Sequence, residues 1–227
     1  MLSIIIKDFL EPFSYLIYSI AFLLEYRSNK LIKEKVLLIY YIIATGLLTY
    51  AAFLALEYAS NIIGNNNNWL YNIHYFLSAV ALGYYFNNLL VNKSKKRIVA
   101  VLFSLVAINF IITDFIITRP FFNSASTAFL FLSVVGASLM YLHELLINMS
   151  EKNILLNFNL WLISGYIIYF LGGFFIILSY SYLTDKLTSD QETILGYLWS
   201  VLNVLLFVTS IITLSSHLWI AYWKKSQ

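Results

Sequence analysis

No cysteine occurs anywhere in the chain, which excludes disulfides, thiolate metal sites, iron–sulfur clusters and cysteine nucleophiles together. Charge is also scarce: 11% of the 227 residues are charged, against 61% hydrophobic. A water-soluble domain keeps about a quarter of its residues charged to cover its surface, so this composition excludes a cytosolic enzyme core and is that of a membrane protein. The excess of positive charge is only +3. Its basic residues punctuate the gaps between apolar runs and form no stripe, so nucleic acid is not an expected partner. Met1 to Lys7 run from apolar to basic, the reverse of a signal peptide's order, and no small-residue cleavage site follows Phe13 to Leu24. The N-terminus is expected to be retained.

What the chain has instead is long apolar runs. Seven are marked off by polar breaks, at 9–26, 36–58, 69–90, 98–118, 126–147, 158–182 and 193–222. Crossing a hydrocarbon layer of about 30 Å takes about 20 apolar residues, so each run is long enough for one spanning helix and every break is too short for an inserted soluble domain. The expected fold is all-α, a single polytopic domain over residues 1–227. Asp8 with Glu11, ahead of Pro12, and Ser189 with Glu192 have capping-box spacing at two helix starts. Basic loops stay cytoplasmic. One side would carry Arg27, Lys30, Lys33, Lys35, Lys93, Lys95, Lys96, Arg97, Lys152, Lys224 and Lys225, and the other only Lys7, Arg119 and Lys186, eleven against three. That split predicts seven crossings, N-terminus outside and C-terminus inside, with Trp69, Tyr71, Tyr182, Trp219, Tyr222 and Trp223 as interfacial anchors.

Small residues mark close helix approach: Gly165, Gly172 and Ser179 are seven apart in the sixth run, and Ser133 with Ala137 makes a small-xxx-small pair in the fifth. No internal repeat, direct or inverted, is discernible, which weighs against the repeat-built transporters.

Ionisable residues inside apolar runs are costly and each invites a functional hypothesis. With the predicted topology Glu11, Glu57, His74, Asp114 and Arg119 fall near the outer helix ends, and Glu57, His74, Asp114 and Arg119 form a candidate outer pocket or ligand site. Gly46, Tyr50 and Glu57 share a face of the second run, and Asn109 and Thr113 one of the fourth. On the seventh run Asn203, Ser210 and His217 are seven apart, with Thr213 on the next ridge. This stripe must face the bundle interior, as interhelical glue or as the lining of a cavity. Glu25, His143, Glu144 and His217 lie near inner helix ends, where snorkelling to headgroup water accounts for them.

Chemistry-bearing motifs are missing. A buried zinc or di-iron site needs paired ligand spacings, whereas His74, His143 and His217 are singletons, leaving His143, Glu144 and His217 as the one combination to consider; no metal and no cofactor is expected. There is no GxSxG elbow, phosphate loop or dinucleotide fingerprint. A retinal Schiff base needs a lysine within a helix, and all eleven lie in loops, at run edges or in tails.

Two segments, Trp69-Leu-Tyr-Asn-Ile-His74-Tyr and Leu160-Trp-Leu-Ile-Ser-Gly165-Tyr-Ile-Ile-Tyr-Phe-Leu-Gly172, with the aromatic opening of the seventh run, make the chain similar to small seven-helix membrane proteins of Bacteroidota bacteria, some of them encoded beside sensor histidine kinases. The resemblance implies a bacterial inner-membrane protein. Members carry a glutamate in the middle of the third helix, where this chain has Leu77-Ser-Ala-Val-Ala, so no functional residue is carried over. The leading expectation is a sensory or regulatory membrane component acting through a separate cytoplasmic or membrane protein partner, because the loops and the tail Lys224 to Gln227 leave no room for an output domain. The alternatives are a small-solute carrier or channel lined by the stripe, and a lipid-active enzyme using Glu57, His74 and Asp114 as acid and base.

Overall fold

A computed structural model describes residues 9–59, 68–116, 124–147, 154–184 and 189–225, with side chains described for all of these except 56–59, 68, 114, 115, 180–184, 189–193 and 225. The chain is an all-α bundle of seven long helices: α1 Leu10–Asn29, α2 Ile32–Ala59, α3 Asn68–Leu89, α4 Lys93–Phe110, α5 Ser124–Ile147, α6 Phe158–Thr184 and α7 Ser189–Lys225. The seven predicted runs and the seven helices correspond one to one.

Differences lie at the ends. α4 starts five residues before its apolar run because Asn92 caps it, its side chain accepting from the Ser94 and Lys95 amides, so Lys93 to Arg97 is helical and not a loop. Beyond Phe110 that helix widens into a π-helical turn, Ile111–Ile116. α1 is preceded by Phe9, which gives no side-chain cap; Asp8 and the side chains of Ser189 and Glu192 lie outside the described residues. The left-handed conformation of Lys30 (φ 56°), whose amide bonds back to the Tyr26 carbonyl, closes α1 and starts the two-residue link to α2.

Each helix packs on its chain neighbours, α7 packs back on α1, and α3 also touches α5. The result is a closed ring with α3 pressed inward. In a ring of seven alternating helices the first and last must run parallel, and they do: Tyr18 meets Thr209, and seven or eight residues further on Glu25 meets His217. Five helices are long and apolar enough to cross a membrane, over Ile32–Ala55, Lys93–Thr113, Ser124–Ile147, Phe158–Ser179 and Ile194–Lys224. This is a multi-pass membrane protein whose outer apolar faces, such as Phe53, Leu132 and Phe175, suit lipid contact. Absent from those five spans are α1 and α3, which bury Ser14, Tyr15, Tyr18 and Ser19, and Asn72, His74, Tyr75, Ser78 and Tyr85.

Close approach between α6 and α7 rests on small residues, as the spacing predicted. A Cβ on Gly165 would sit 3.3 Å from Thr209 Cβ, and one on Gly172 3.0 Å from Leu205 Cδ1, whereas Ser179 is exposed and bonds back to Phe175. The tightest point was not predicted. A Cβ on Gly173 would lie 2.4 Å from the Phe131 ring and 2.7 Å from Leu202, where α5, α6 and α7 meet. Gly173→Val is expected to destabilise the bundle by about 1–3 kcal/mol through overpacking. Gly136→Ala, which enters open space, should change stability by less than about 0.5 kcal/mol. Thermal unfolding of the two variants in detergent checks the pair.

Candidate functional site

The lumen of the ring is filled by aromatic rings, many of them tyrosines. From α1 come Tyr15, Tyr18 and Phe22, from α2 Tyr40 and Tyr41, from α3 His74, Tyr75, Tyr85 and Phe86, and from α6 Tyr166, Tyr169 and Phe170, all buried. Rings meet edge to face or stacked at centroid distances of about 5–6 Å, as their quadrupoles favour: Tyr18 stacks on Tyr41 at 5.0 Å, and Phe22 meets Tyr85 edge-on at 6.3 Å.

A phenol buried in a membrane bundle needs a partner for its hydroxyl, and Tyr15, Tyr18, Tyr40, Tyr41, Tyr85 and Tyr166 find one across the lumen. Tyr18 donates to Thr209 Oγ1 at 3.0 Å, Tyr85 donates to Asn159 Oδ1 at 2.6 Å, and the hydroxyls of Tyr41 and Tyr166 bond each other. The Tyr40 hydroxyl pairs with Ser78 Oγ, which also donates to the His74 carbonyl. Together with the bond between Tyr15 of α1 and His74 of α3, these join five helices, α1, α2, α3, α6 and α7, through side-chain hydrogen bonds. Tyr15, Tyr18, Tyr40, Tyr41, Tyr166 and Tyr169 surround a central cavity of about 10 Å³, room for about one water molecule.

His74 lies at the centre of this cluster. It is fully buried, with Nε2 3.1 Å from the Tyr15 hydroxyl, the Tyr40 ring stacked against it and the Tyr15 ring edge-on. Its Nδ1 has no hydrogen-bond partner, a costly state for a buried nitrogen. Glu11, 2% exposed, lies within electrostatic reach of Tyr15, Tyr40, Tyr75 and Tyr169. The predicted outer pocket therefore cannot be traced as a group: the side chains of Glu57 and Asp114, and Arg119 entirely, lie outside the described residues, and the neighbours that His74 does show are tyrosines. On α2 the face shared by Gly46 and Tyr50 turns outward, with Tyr50 53% exposed. Asn109 donates to Ser126 Oγ at 2.8 Å, tying α4 to α5.

The stripe on α7 faces inward. Asn203, Ser210 and Thr213 are buried, the two hydroxyls bonding carbonyls of their own helix, at Phe207 and Thr209. The stripe ends at His217, whose Nδ1 is 2.8 Å from Glu25 Oε2 and whose ring Phe158 meets edge-on. Snorkelling does not describe the inner acids. The Glu144 carboxylate accepts from the Val91 and Asn92 amides at 2.8 and 3.1 Å and lies 3.7 Å from Lys95 Nζ, clamping α5 to the link between α3 and α4. His143 bonds Lys95 instead, 3.0 Å from Nδ1, and His217 bonds Glu25, so His143, Glu144 and His217 form no ligand set; among the described residues no group of three His, Asp or Glu could hold a metal.

Sequence reading missed the tyrosines and Glu11 as one cluster. The available signal was the i, i+3 spacing of Tyr15 with Tyr18 and of Tyr166 with Tyr169 on otherwise apolar helices. No protein-family model matches the chain, and no curated protein or solved structure matches it either.

Tyr15→Phe leaves both His74 nitrogens without a partner and should cost about 1–3 kcal/mol. Tyr18→Phe should cost about 0.6 kcal/mol, because Thr209 still donates to the Leu206 carbonyl. Equilibrium unfolding of both variants in one detergent gives the comparison; equal losses would contradict the special place assigned to His74.

Proposed function

We propose that this is a multi-pass protein of a bacterial inner membrane, with its N-terminus outside, that works as a sensory or regulatory component through a separate protein partner. The observation that carries the reading is the buried Tyr–His network joining α1, α2, α3, α6 and α7. Directional bonds between rings that cannot be replaced by solvent favour discrete helix arrangements over gradual deformation, which a signalling element requires. Orientation rests on the end where α1, α3, α5 and α7 finish: it carries Arg27, Lys30, Lys33, Lys35, Lys93, Lys95, Lys96, Arg97 and Lys224, as cytoplasmic ends do. At that end two and three residues link α1 to α2 and α3 to α4, so a change in helix packing reaches a partner through the helix ends themselves. The resemblance to Bacteroidota proteins encoded beside histidine kinases makes a kinase the first partner class to try.

Carriage of a small solute is the second reading, and the inward-facing, buried stripe Asn203, Ser210 and Thr213 favours it. Native mass spectrometry of the protein extracted gently from its own membrane separates the two. A stoichiometric protein partner, whose output shifts when Tyr41→Phe breaks the bond to Tyr166, is the expected result. A retained small molecule and no partner would overturn the signalling reading in favour of carriage.

A further inference from the structure

The basic end of the bundle holds a polar group that the tyrosine cluster does not include. At the corner where α1, α2 and α7 meet, the Asn29 amide nitrogen donates to Glu25 Oε1 at 2.5 Å and stands 3.5 Å from Glu34 Oε1. Glu25 Oε2 is held by His217 Nδ1 at 2.8 Å. One amide thus faces two carboxyl groups from two helices, and a histidine from a third helix completes the cluster.

The two acids are provided for unequally. Glu25 has the Asn29 amide on one oxygen and His217 Nδ1 on the other. Glu34 is 3% exposed, its Oε1 has only the long contact to Asn29 and the nearby Leu31 amide, and its Oε2 has no partner at all. A buried carboxylate with one bare oxygen, beside a second negative group, is far costlier than a neutral carboxyl in the same place. The charged and titratable groups that act on it are Glu25 of α1, Lys33 of α2 and Tyr85 of α3, with His217 of α7 on the far oxygen of Glu25. Lys33 and Lys35 flank Glu34 in sequence; Lys33 lies within electrostatic reach of both acids, and neither lysine forms an ion pair with either among the described residues. The first-turn position on α2 favours a negative charge, but only weakly.

We propose that the cluster Glu25–Asn29–Glu34–His217 is a proton-binding site, in which Glu34 holds the proton. The ligand is a proton taken from the aqueous phase at the basic end. Its release sets two negative carboxylates on one amide, so the corner joining α1, α2 and α7 loosens. This site stands whether the protein signals or carries a solute.

Infrared spectroscopy of the full-length protein in lipid nanodiscs tests it. At neutral pH the wild-type protein should show a protonated carboxyl C=O band that shifts in heavy water and on labelling glutamate with carboxyl carbon-13, and that bleaches as pH is raised. Glu34→Gln should remove the band and Glu25→Gln should keep it. Labelled wild-type protein needs no variant to fold: if it shows no protonated glutamate band at neutral pH, the proposal fails. It fails equally if Glu34→Gln, folded by circular dichroism, leaves the band in place.

Discussion

Everything in this bundle depends on one constraint: inside a ring of helices surrounded by lipid, a polar side chain has only another part of the protein to bond to. Twelve or more aromatic rings could have filled the lumen as phenylalanine with no such demand, yet eight of the buried rings in it are tyrosine. Six of the eight hydroxyls reach a particular atom, and that atom is on another helix. The ring of helices is closed by packing, while the hydrogen bonds decide the rotation of each helix about its own axis.

Helix number was legible because it needs only run length and breaks, and hydrophobic length is the strongest signal a membrane sequence gives. The stripe on α7 was legible too, since Asn203, Ser210 and His217 stand out against apolar neighbours at a helical repeat. The tyrosine cluster was not, for a physical reason. A tyrosine on an almost uniformly apolar helix serves equally at an interface, against lipid or in a lumen, and Tyr40 and Tyr50 differ only in what the fold sets against them. Pairings such as Glu25 with His217, 192 residues apart, depend on ring closure, which no local pattern encodes. The start of α4 was misplaced because Lys93 to Arg97 reads as a loop until Asn92 is recognised as a cap.

The basic end of the bundle is built on the same principle with different groups. Glu144 spans from α5 to the amides that precede α4, and Glu25 spans from α1 to α7, so carboxylates bridge neighbouring helices there; Lys95 joins Glu144, while Arg27, Lys30, Lys35, Lys93 and Arg97 are exposed. An acid in such a place does what a short loop alone cannot: it fixes the relative height of two helices.

The parallel contact between α1 and α7 also bears on how the chain enters a membrane. Because α1 is made before α7, it finds this neighbour only once α7 has been synthesised, and until then the face of α1 that carries Tyr18 and Glu25 has lipid or the insertion machinery beside it in place of Thr209 and His217. That helix falls below the apolarity of the five clear spans, as does α3. Stable placement of α1 is then a late event in biogenesis, completed by the C-terminal helix, and a nascent chain halted before α7 lacks the partner that holds its own first helix in the bundle.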